Sequence, residues 1–216
     1  MTAIKIFISL LIVITVFSSF SHPDKKDKSK ELKEGSKVLV LSFGDQFQSN
    51  YYPKSMIADK ANLGLGEFSS FINEKFINSF TVINNSKITY VTVEENEVNN
   101  IRKLIRLKGE DEEIYTDISM VSDKDYDELM KQYNADYLMV FSQYYLKWQE
   151  EPFNTLFHIF NFNIYTQDKK EVYEGKSYFN TFSLNEINNI DKLFEKNIKK
   201  NASTFERAIK NYQPVM

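Results

Sequence analysis

The sequence predicts an α+β domain, an α/β sandwich in which a mixed sheet of about five strands packs against helices. Three observations predict it. Short apolar or β-branched segments alternate with amphipathic helical segments in the first half of the chain. Two long strand-like segments joined by a short polar turn follow, which is the pattern of a late antiparallel hairpin. A long segment with apolar residues at helical spacing closes the chain.

The N-terminus has the three parts of a secretory signal peptide, predicted at residues 1–21. Lys5 supplies the positive charge, and Ile6–Phe17 is an apolar run of suitable length. Small residues at Ser19 and Ser21 predict cleavage before His22. The alternative is an uncleaved anchor or a buried helix, but no basic cluster directly follows the apolar run. We therefore expect export, to a periplasm or to the medium.

Residues 22–36 are charged and carry almost no apolar side chains. Such a segment buries too little surface to offset the entropy of ordering it, so we expect a flexible charged tether. Residues 37–216 are then expected to form a single globular α+β domain. No later segment approaches the roughly 20 apolar residues of a membrane-spanning helix.

Composition excludes several functions. The chain has no cysteine, which rules out disulfides, thiol catalysis, thiolate metal sites and lipid attachment through an N-terminal cysteine. The formal net charge is −3, which disfavours nucleic acid as the main partner. Aromatic residues make up 15% of the chain, enough to fill a core and leave a surplus.

The elements of the first half follow from apolar spacing and β-branched runs. They are a strand covered on both faces at 37–43, a polar loop at 44–62, a helix at 63–80, strand-like runs at 81–83 and 87–93, a helix at 95–107 and an acidic loop at 110–113. The elements of the second half are a helix opened by a capping box at Ser122 and Asp125, strands at 136–148, 155–166 and 171–182, and a long C-terminal helix opened by a capping box at Ser183 and Glu186.

This order and three short motifs carry a resemblance to a known group. The motifs are the strand KVLVLSF, the pair Ala135-Asp136 before the central strand, and the hairpin NIYTQDKKEVYEGKSYF. Over roughly Lys37–Tyr212 the chain resembles the exported domain shared by the curli-secretion family, the lipoprotein activators of penicillin-binding proteins and the N-terminal domain of TolB. The resemblance implies an envelope domain with no catalytic residue. The missing lipidation cysteine and an insertion-like region at 94–121 depart from it.

Candidates for catalysis are few. His22 falls in the predicted tether, and the two-residue period of a strand places His158 on one face with Phe160, Phe162 and Ile164. We interpret His158 as structural, because no Gly-x-Ser-x-Gly turn presents a serine and two distant histidines do not make a zinc site. The sequence therefore predicts no catalytic residue, no cofactor and no metal ligand.

Two motifs imitate ligand sites. The Asp123, Asp125 and Asp127 spacing resembles the start of a calcium loop, but Glu128 replaces the required glycine. The Gly64-Leu65-Gly66 turn has no lysine for phosphate. Both patterns are better explained as helix starts. The acidic run at 110–113 is typical of a solvated loop.

Aromatic residues cluster around the break between the second-half strands, at Tyr144, Tyr145, Trp148, Phe153 and Phe157. One interpretation of this cluster is that its alternate members face the core. The other interpretation, our candidate partner-binding site, is that Tyr145, Trp148 and Phe153 lie at an exposed strand end, because tyrosine and tryptophan are enriched at interfaces.

These observations favour an exported non-catalytic binding or assembly protein of the cell envelope, acting through contacts with an envelope protein or with a second copy. Two alternatives stay open. One is a small-ligand or lipid carrier with an apolar pocket between sheet and helices. The other is a carboxylate-dependent secreted hydrolase, which requires a pair of acids converging in a cleft.

Overall fold

A mixed sheet of six strands organises the chain. The computed structural model describes residues 35–83, 87–93 and 95–212. The strands are β1 (Ser36–Leu41), β2 (Phe47–Ser49), β3 (Ile88–Thr92), β4 (Arg106–Glu110), β5 (Glu113–Asp117), β6 (Tyr137–Gln149), β7 (Thr155–Thr166) and β8 (Glu171–Thr181). The sheet order is β3-β1-β6-β7-β8, with β2 also paired to β6, and β4-β5 form a separate hairpin. The predicted mixed sheet is confirmed.

The register separates a parallel half from an antiparallel half. Strand β1 pairs in parallel with β3 and with β6, whereas β6, β7 and β8 form an antiparallel meander. The late antiparallel hairpin expected from the sequence is the β7–β8 pair. Its long strands carry the surface described below.

Helices cover both faces of the sheet. They are α1 (Lys54–Lys60), α2 (Leu65–Asn78), α3 (Asn99–Arg102), α4 (Asp123–Tyr133) and α5 (Ile190–Tyr212), with 3-10 turns at Ser79–Val82, Glu95–Val98 and Leu184–Asn189. The long C-terminal helix and the start of α4 agree with their predictions. Ser122 caps α4, since its hydroxyl oxygen accepts from the Asp125 amide at 3.1 Å.

The first face of the sheet carries a phenylalanine-rich core beneath α1, α2 and α5. Phe76 of α2 is fully buried, and its ring stacks on Phe160 with centroids 4.9 Å apart. It also meets Phe194 of α5 edge-on at 5.6 Å. Burying each such side chain contributes about 1.5–3 kcal/mol, so this layer is the main source of stability.

The second face is covered in two different ways. Helix α4 packs an apolar stripe over Leu39 and Leu41 of β1, so β1 is covered on both faces as the sequence predicts. The β4–β5 hairpin lies over the middle of β6 and β7 through polar contacts. For example, Asn163 Oδ1 accepts from the Thr116 amide at 2.8 Å. Beyond the hairpin, the far end of this face carries aromatic side chains.

The predicted strand at 81–83 is wrong. Helix α2 instead continues into a 3-10 turn at Ser79–Val82, which places Phe80 against the rings of Phe76 and Phe205, with centroids 5.5 and 6.3 Å apart. Core packing of one phenylalanine outweighs the β propensity of three β-branched residues.

The predicted loop at 44–62 contains strand β2 and helix α1. The ring of Phe47 contacts Phe68 and Tyr144 edge-on, at 5.0 and 5.2 Å, and Ile57 is fully buried. Isolated apolar side chains therefore anchor short elements within a polar stretch.

The predicted helix at 95–107 is also wrong beyond its first turns. After α3 the chain extends into β4, turns at the acidic run 110–113, and returns as β5. Gly109 has φ +101°, and a Cβ there would lie 2.0 Å from the Glu113 carbonyl oxygen, so only glycine fits. Asp111 takes φ +50° in the turn.

The predicted signal peptide and nearly all of the predicted tether lie outside the described residues. Ser36, assigned to the tether, is instead the first residue of β1 and is buried. Within the described ranges, no helix combines the length and apolar character needed to cross a membrane.

Candidate docking surface

The β6–β7–β8 meander aligns apolar side chains in rows on the second face of the sheet. In one row Tyr145 of β6 lies opposite Ile159 of β7, which lies opposite Tyr178 of β8. In the next row outward, Phe157 lies between Lys147 and Asn180. Cross-strand neighbours on one face are close enough to contact each other.

A β-bulge in β6 sets which side chains join these rows. The register with β7 shifts between Phe141 and Gln143. Ser142 and Gln143 both donate to carbonyls of the β4–β5 hairpin, of Ile114 and Asp111 respectively, so both face the second side. The alternation then resumes, with Tyr144 in the core and Tyr145 on the second face.

Three aromatic side chains project from this end of the sheet. Phe153 in the β6–β7 turn is 74% exposed, Phe182 just after β8 is 69% exposed and Tyr178 is 62% exposed. In the same cross-strand row as Tyr178, Tyr145 and Ile159 are 8% and 7% exposed. We call this group the aromatic surface; its members are Tyr145, Phe153, Phe157, Ile159, Tyr178 and Phe182.

The packing beneath the exposed rings is ordered. The Phe157 and Tyr178 rings meet edge-on with centroids 6.4 Å apart. Burial raises the pKa of the Tyr145 phenol, and the nearby carboxylates of Asp111 and Glu112 raise it further. The hairpin turn therefore borders the aromatic surface on one side.

The three residues predicted as a partner site do not share one face. Phe153 is exposed, but Tyr145 is buried and forms the floor of the aromatic surface. Trp148 lies on the opposite face, half-buried against Tyr51 and Tyr52 at centroid distances of 6.1 and 5.9 Å. Residues three apart in a regular strand face opposite sides, so the strand period already separates Tyr145 from Trp148.

Tyr178 and Phe182 were missed because the sequence alone does not show which face of the sheet they occupy. Only the pairing register of β7 with β8 brings Tyr178 beside Ile159. Phe182 continues the alternation of Tyr178 and Asn180 past the end of β8. The sequence signal was the hairpin itself, whose register follows from the length of its turn.

His158 occupies a buried aromatic site on the core face, as its spacing predicted. Its Nδ1 lies 2.6 Å from the Tyr144 hydroxyl and its Nε2 lies 3.0 Å from Thr181 Oγ1. Burial raises the pKa of the Tyr144 phenol, which therefore keeps its proton, and each hydroxyl can donate to or accept from the neighbouring ring nitrogen of His158 according to the tautomer. Desolvation lowers the pKa of His158 from 6.5 to about 3.

Two cavities open near the ends of β1 and β3. The larger, about 830 Å³, has the carboxylates of Asp45, Glu74 and Glu97 in its lining. The smaller, about 400 Å³, lies toward the β4–β5 hairpin. Across the residues that the structure describes, no three histidine or acidic side chains are grouped closely enough to hold a metal ion.

The fold and surface thus define an α+β domain with an aromatic surface at one end of its sheet. No family profile matches the chain, and no curated protein matches it. Solved structures are similar to it at low identity. The hypothetical protein CT253 from Chlamydia trachomatis is 10% identical, over 82% of this chain and 97% of that chain, with a TM-score of 0.41.

Two further structures are similar. The PelC dodecamer from Paraburkholderia phytofirmans is 9% identical over 80% of this chain and 93% of that chain, with a TM-score of 0.34. The LpoB C-terminal domain from Salmonella enterica is 11% identical over 70% and 87%, with a TM-score of 0.30. These neighbours match the group that the sequence resembles. All three TM-scores lie below 0.5, so we infer the function of this chain from its own geometry.

Proposed function

We propose that this chain is an exported, non-catalytic binding or assembly protein of the cell envelope, which docks onto another protein through the aromatic surface. The observation that supports the proposal is the exposure of Phe153, Tyr178 and Phe182 at one sheet end, each more than half exposed. Single exposed apolar residues are ordinary, but three exposed aromatic side chains near one end of a sheet favour an interaction site.

Burial of the exposed rings would contribute to the affinity for a partner. Fully burying a large apolar side chain contributes about 1.5–3 kcal/mol, so three such rings would offset roughly 4.5–9 kcal/mol of the cost of association. Tyr178 already lies in a cross-strand row with Ile159 and Tyr145, so binding need not order the strands. Aromatic residues on a rigid support are typical binding hot spots.

Crosslinking capture from intact cells tests this proposal. The full-length chain with a C-terminal tag is crosslinked in cells and recovered, and its crosslinked partners are identified by mass spectrometry. We expect the triple variant Phe153→Ala, Tyr178→Ala, Phe182→Ala to recover at least tenfold less of the main partner, since each hot-spot ring contributes about 1–2 kcal/mol or more.

A control variant removes three other exposed apolar side chains. Tyr51, Leu65 and Met120 are 60%, 55% and 49% exposed, and Tyr51 packs against Trp148 on the opposite face of the sheet from the aromatic surface. The variant Tyr51→Ala, Leu65→Ala, Met120→Ala should retain capture. Unchanged capture by the aromatic-surface variant, with both variants unfolding at the wild-type urea concentration, would remove this surface as the docking site.

Carboxylate-dependent hydrolysis is the second candidate, because Asp45, Glu74 and Glu97 line one cavity. It predicts that Asp45→Asn, Glu74→Gln, Glu97→Gln abolishes an activity in the purified protein. The docking proposal predicts instead that this variant captures the same partner in the same amount. The lining of the larger cavity is mostly polar, with Ile77 and Val93 as its apolar side chains, so this cavity does not favour a lipid carrier.

A further inference from the structure

Carboxylates border the aromatic surface on two sides. Glu150 and Glu151 are exposed in the β6–β7 turn, between the end of β6 and Phe153. On the other side, Asp111 in the hairpin turn is exposed and lies near the floor residue Tyr145. The apolar centre of the surface thus has acidic groups along both margins.

The lysines of this margin already have carboxylate partners. Lys147 Nζ lies 2.9 Å from Glu112 Oε2, and Lys176 Nζ lies 3.1 Å from Glu113 Oε1. Three carboxylates of the margin have no lysine or arginine within ion-pair distance among the described residues: Asp111, Glu150 and Glu151. The margin therefore has an excess of negative charge.

We propose that the partner segment bound by the aromatic surface combines apolar side chains with lysine or arginine side chains that face Asp111, Glu150 and Glu151. This inference rests on the proposed function and specifies the chemistry of its partner. Complementary charge at the edge of an apolar contact steers association and fixes the orientation of the partner. Apolar side chains bury against the rings while the cationic groups remain at the solvated margin.

The same charges disfavour a second copy of this chain on the surface. A two-fold contact places the same patch on both molecules, so the acidic margins of two copies would approach each other. Like charges brought together across an interface reduce its affinity. A partner with a basic margin has no such penalty.

Two labelled peptides of equal length test the inference on the purified full chain. One alternates phenylalanine and lysine, and the other alternates phenylalanine and glutamate. Fluorescence anisotropy should show the Phe–Lys peptide binding at least tenfold more tightly, with its advantage decreasing between about 0.05 and 0.5 M salt, because salt screens exposed charges.

Reversing the charge of the margin carboxylates tests whether they cause the preference for the Phe–Lys peptide. The variant Asp111→Lys, Glu150→Lys, Glu151→Lys should lose about tenfold or more in affinity for the Phe–Lys peptide, since three exposed ion pairs together account for about that factor. The control variant reverses three exposed carboxylates away from the surface and changes the net charge equally: Asp59→Lys, Glu128→Lys, Glu195→Lys. It should keep the preference.

Several results would overturn the inference. They are equal binding of the two peptides, binding of neither, or equal losses in the two charge-reversal variants. A wild-type dimer that Phe153→Ala, Tyr178→Ala, Phe182→Ala dissociates would place a second copy on the surface instead. In each case the crosslinking capture still tests separately whether the aromatic surface binds a partner. A failure of the charge inference can therefore be distinguished from a failure of the proposed function.

Discussion

Acidification should destabilise this protein through one buried histidine. The His158 ring lies between Tyr144 and Thr181, stacks on Phe179 with centroids 4.3 Å apart, and is fully desolvated. Its pKa of about 3 in the folded protein lies far below the ordinary value of 6.5. Between these two values the unfolded chain binds a proton that the folded chain does not.

The sign and size of this pH effect on stability follow from the linkage between proton binding and folding. Stability increases with pH wherever the unfolded state binds more protons, so the contribution of His158 is fully present above pH 6.5 and is lost as the pH falls toward 3. At pH 5 the loss relative to pH 7 is about 2 kcal/mol from this residue alone. That is a large fraction of the 5–15 kcal/mol that is roughly typical of a domain.

Urea unfolding at pH 7 and pH 5 measures the loss in the free energy of unfolding. The variant His158→Gln is the control. The glutamine amide can accept from Tyr144 and donate to Thr181 but does not titrate in this range. We expect the wild type to lose about 2 kcal/mol more than His158→Gln between the two pH values. His22 is present in both proteins and cancels. Equal losses in the two proteins would refute a buried neutral histidine.

Three further substitutions test the packing. Gly175→Ala should destabilise by about 1 kcal/mol or more, because a Cβ there would lie 2.4 Å from the Tyr173 ring, and thermal unfolding would show it. Ser122→Ala should cost about 0.5–2 kcal/mol in urea unfolding by removing the cap on the Asp125 amide, with Ser122→Asp restoring most of it. Phe76→Ala should cost about 3–5 kcal/mol by emptying the centre of the aromatic core, and a loss below 1 kcal/mol would contradict the described packing.

The sequence predicted best those elements whose apolar pattern is long. Strands β6, β7 and β8 and helix α2 each carry a repeated spacing over ten or more residues, and their bounds differ little from the predicted ones. Ser122 was found because a cap is a local hydrogen bond between near neighbours in sequence. Long patterns and local caps both depend little on the rest of the chain.

The failures lie where distant contacts decide the structure. Residues 95–107 have the apolar spacing of a helix, yet the helix ends at Arg102, and the pairing of β4 with β5 makes the chain extended from Arg106 onward. One signal was available, because Gly109 precedes a short acidic turn flanked by alternating residues. The polar contact between Thr116 and Asn163 joins residues 47 positions apart and has no local signature.

The aromatic surface could be predicted only in part, for the same reason. Phe153 was identified because it follows a strand end, whereas Tyr178 joins the surface through its register with Ile159. Tyr145 lies in a cross-strand row with Ile159 and Tyr178 and is only 8% exposed, which its position in the sequence does not reveal. Cross-strand pairing determines which side chains lie together in the candidate site, and sequence spacing alone does not predict that pairing.

Site-specific photocrosslinking in cells tests the central claim most directly. A photoreactive phenylalanine analogue replaces Phe153 or Phe182 on the aromatic surface, or Met120 as an exposed control. The docking proposal predicts that both surface positions give the same discrete adduct with another protein and that Met120 gives none. Adducts of equal yield from all three positions, or from Met120 alone, would contradict the claim that this protein functions through its aromatic surface.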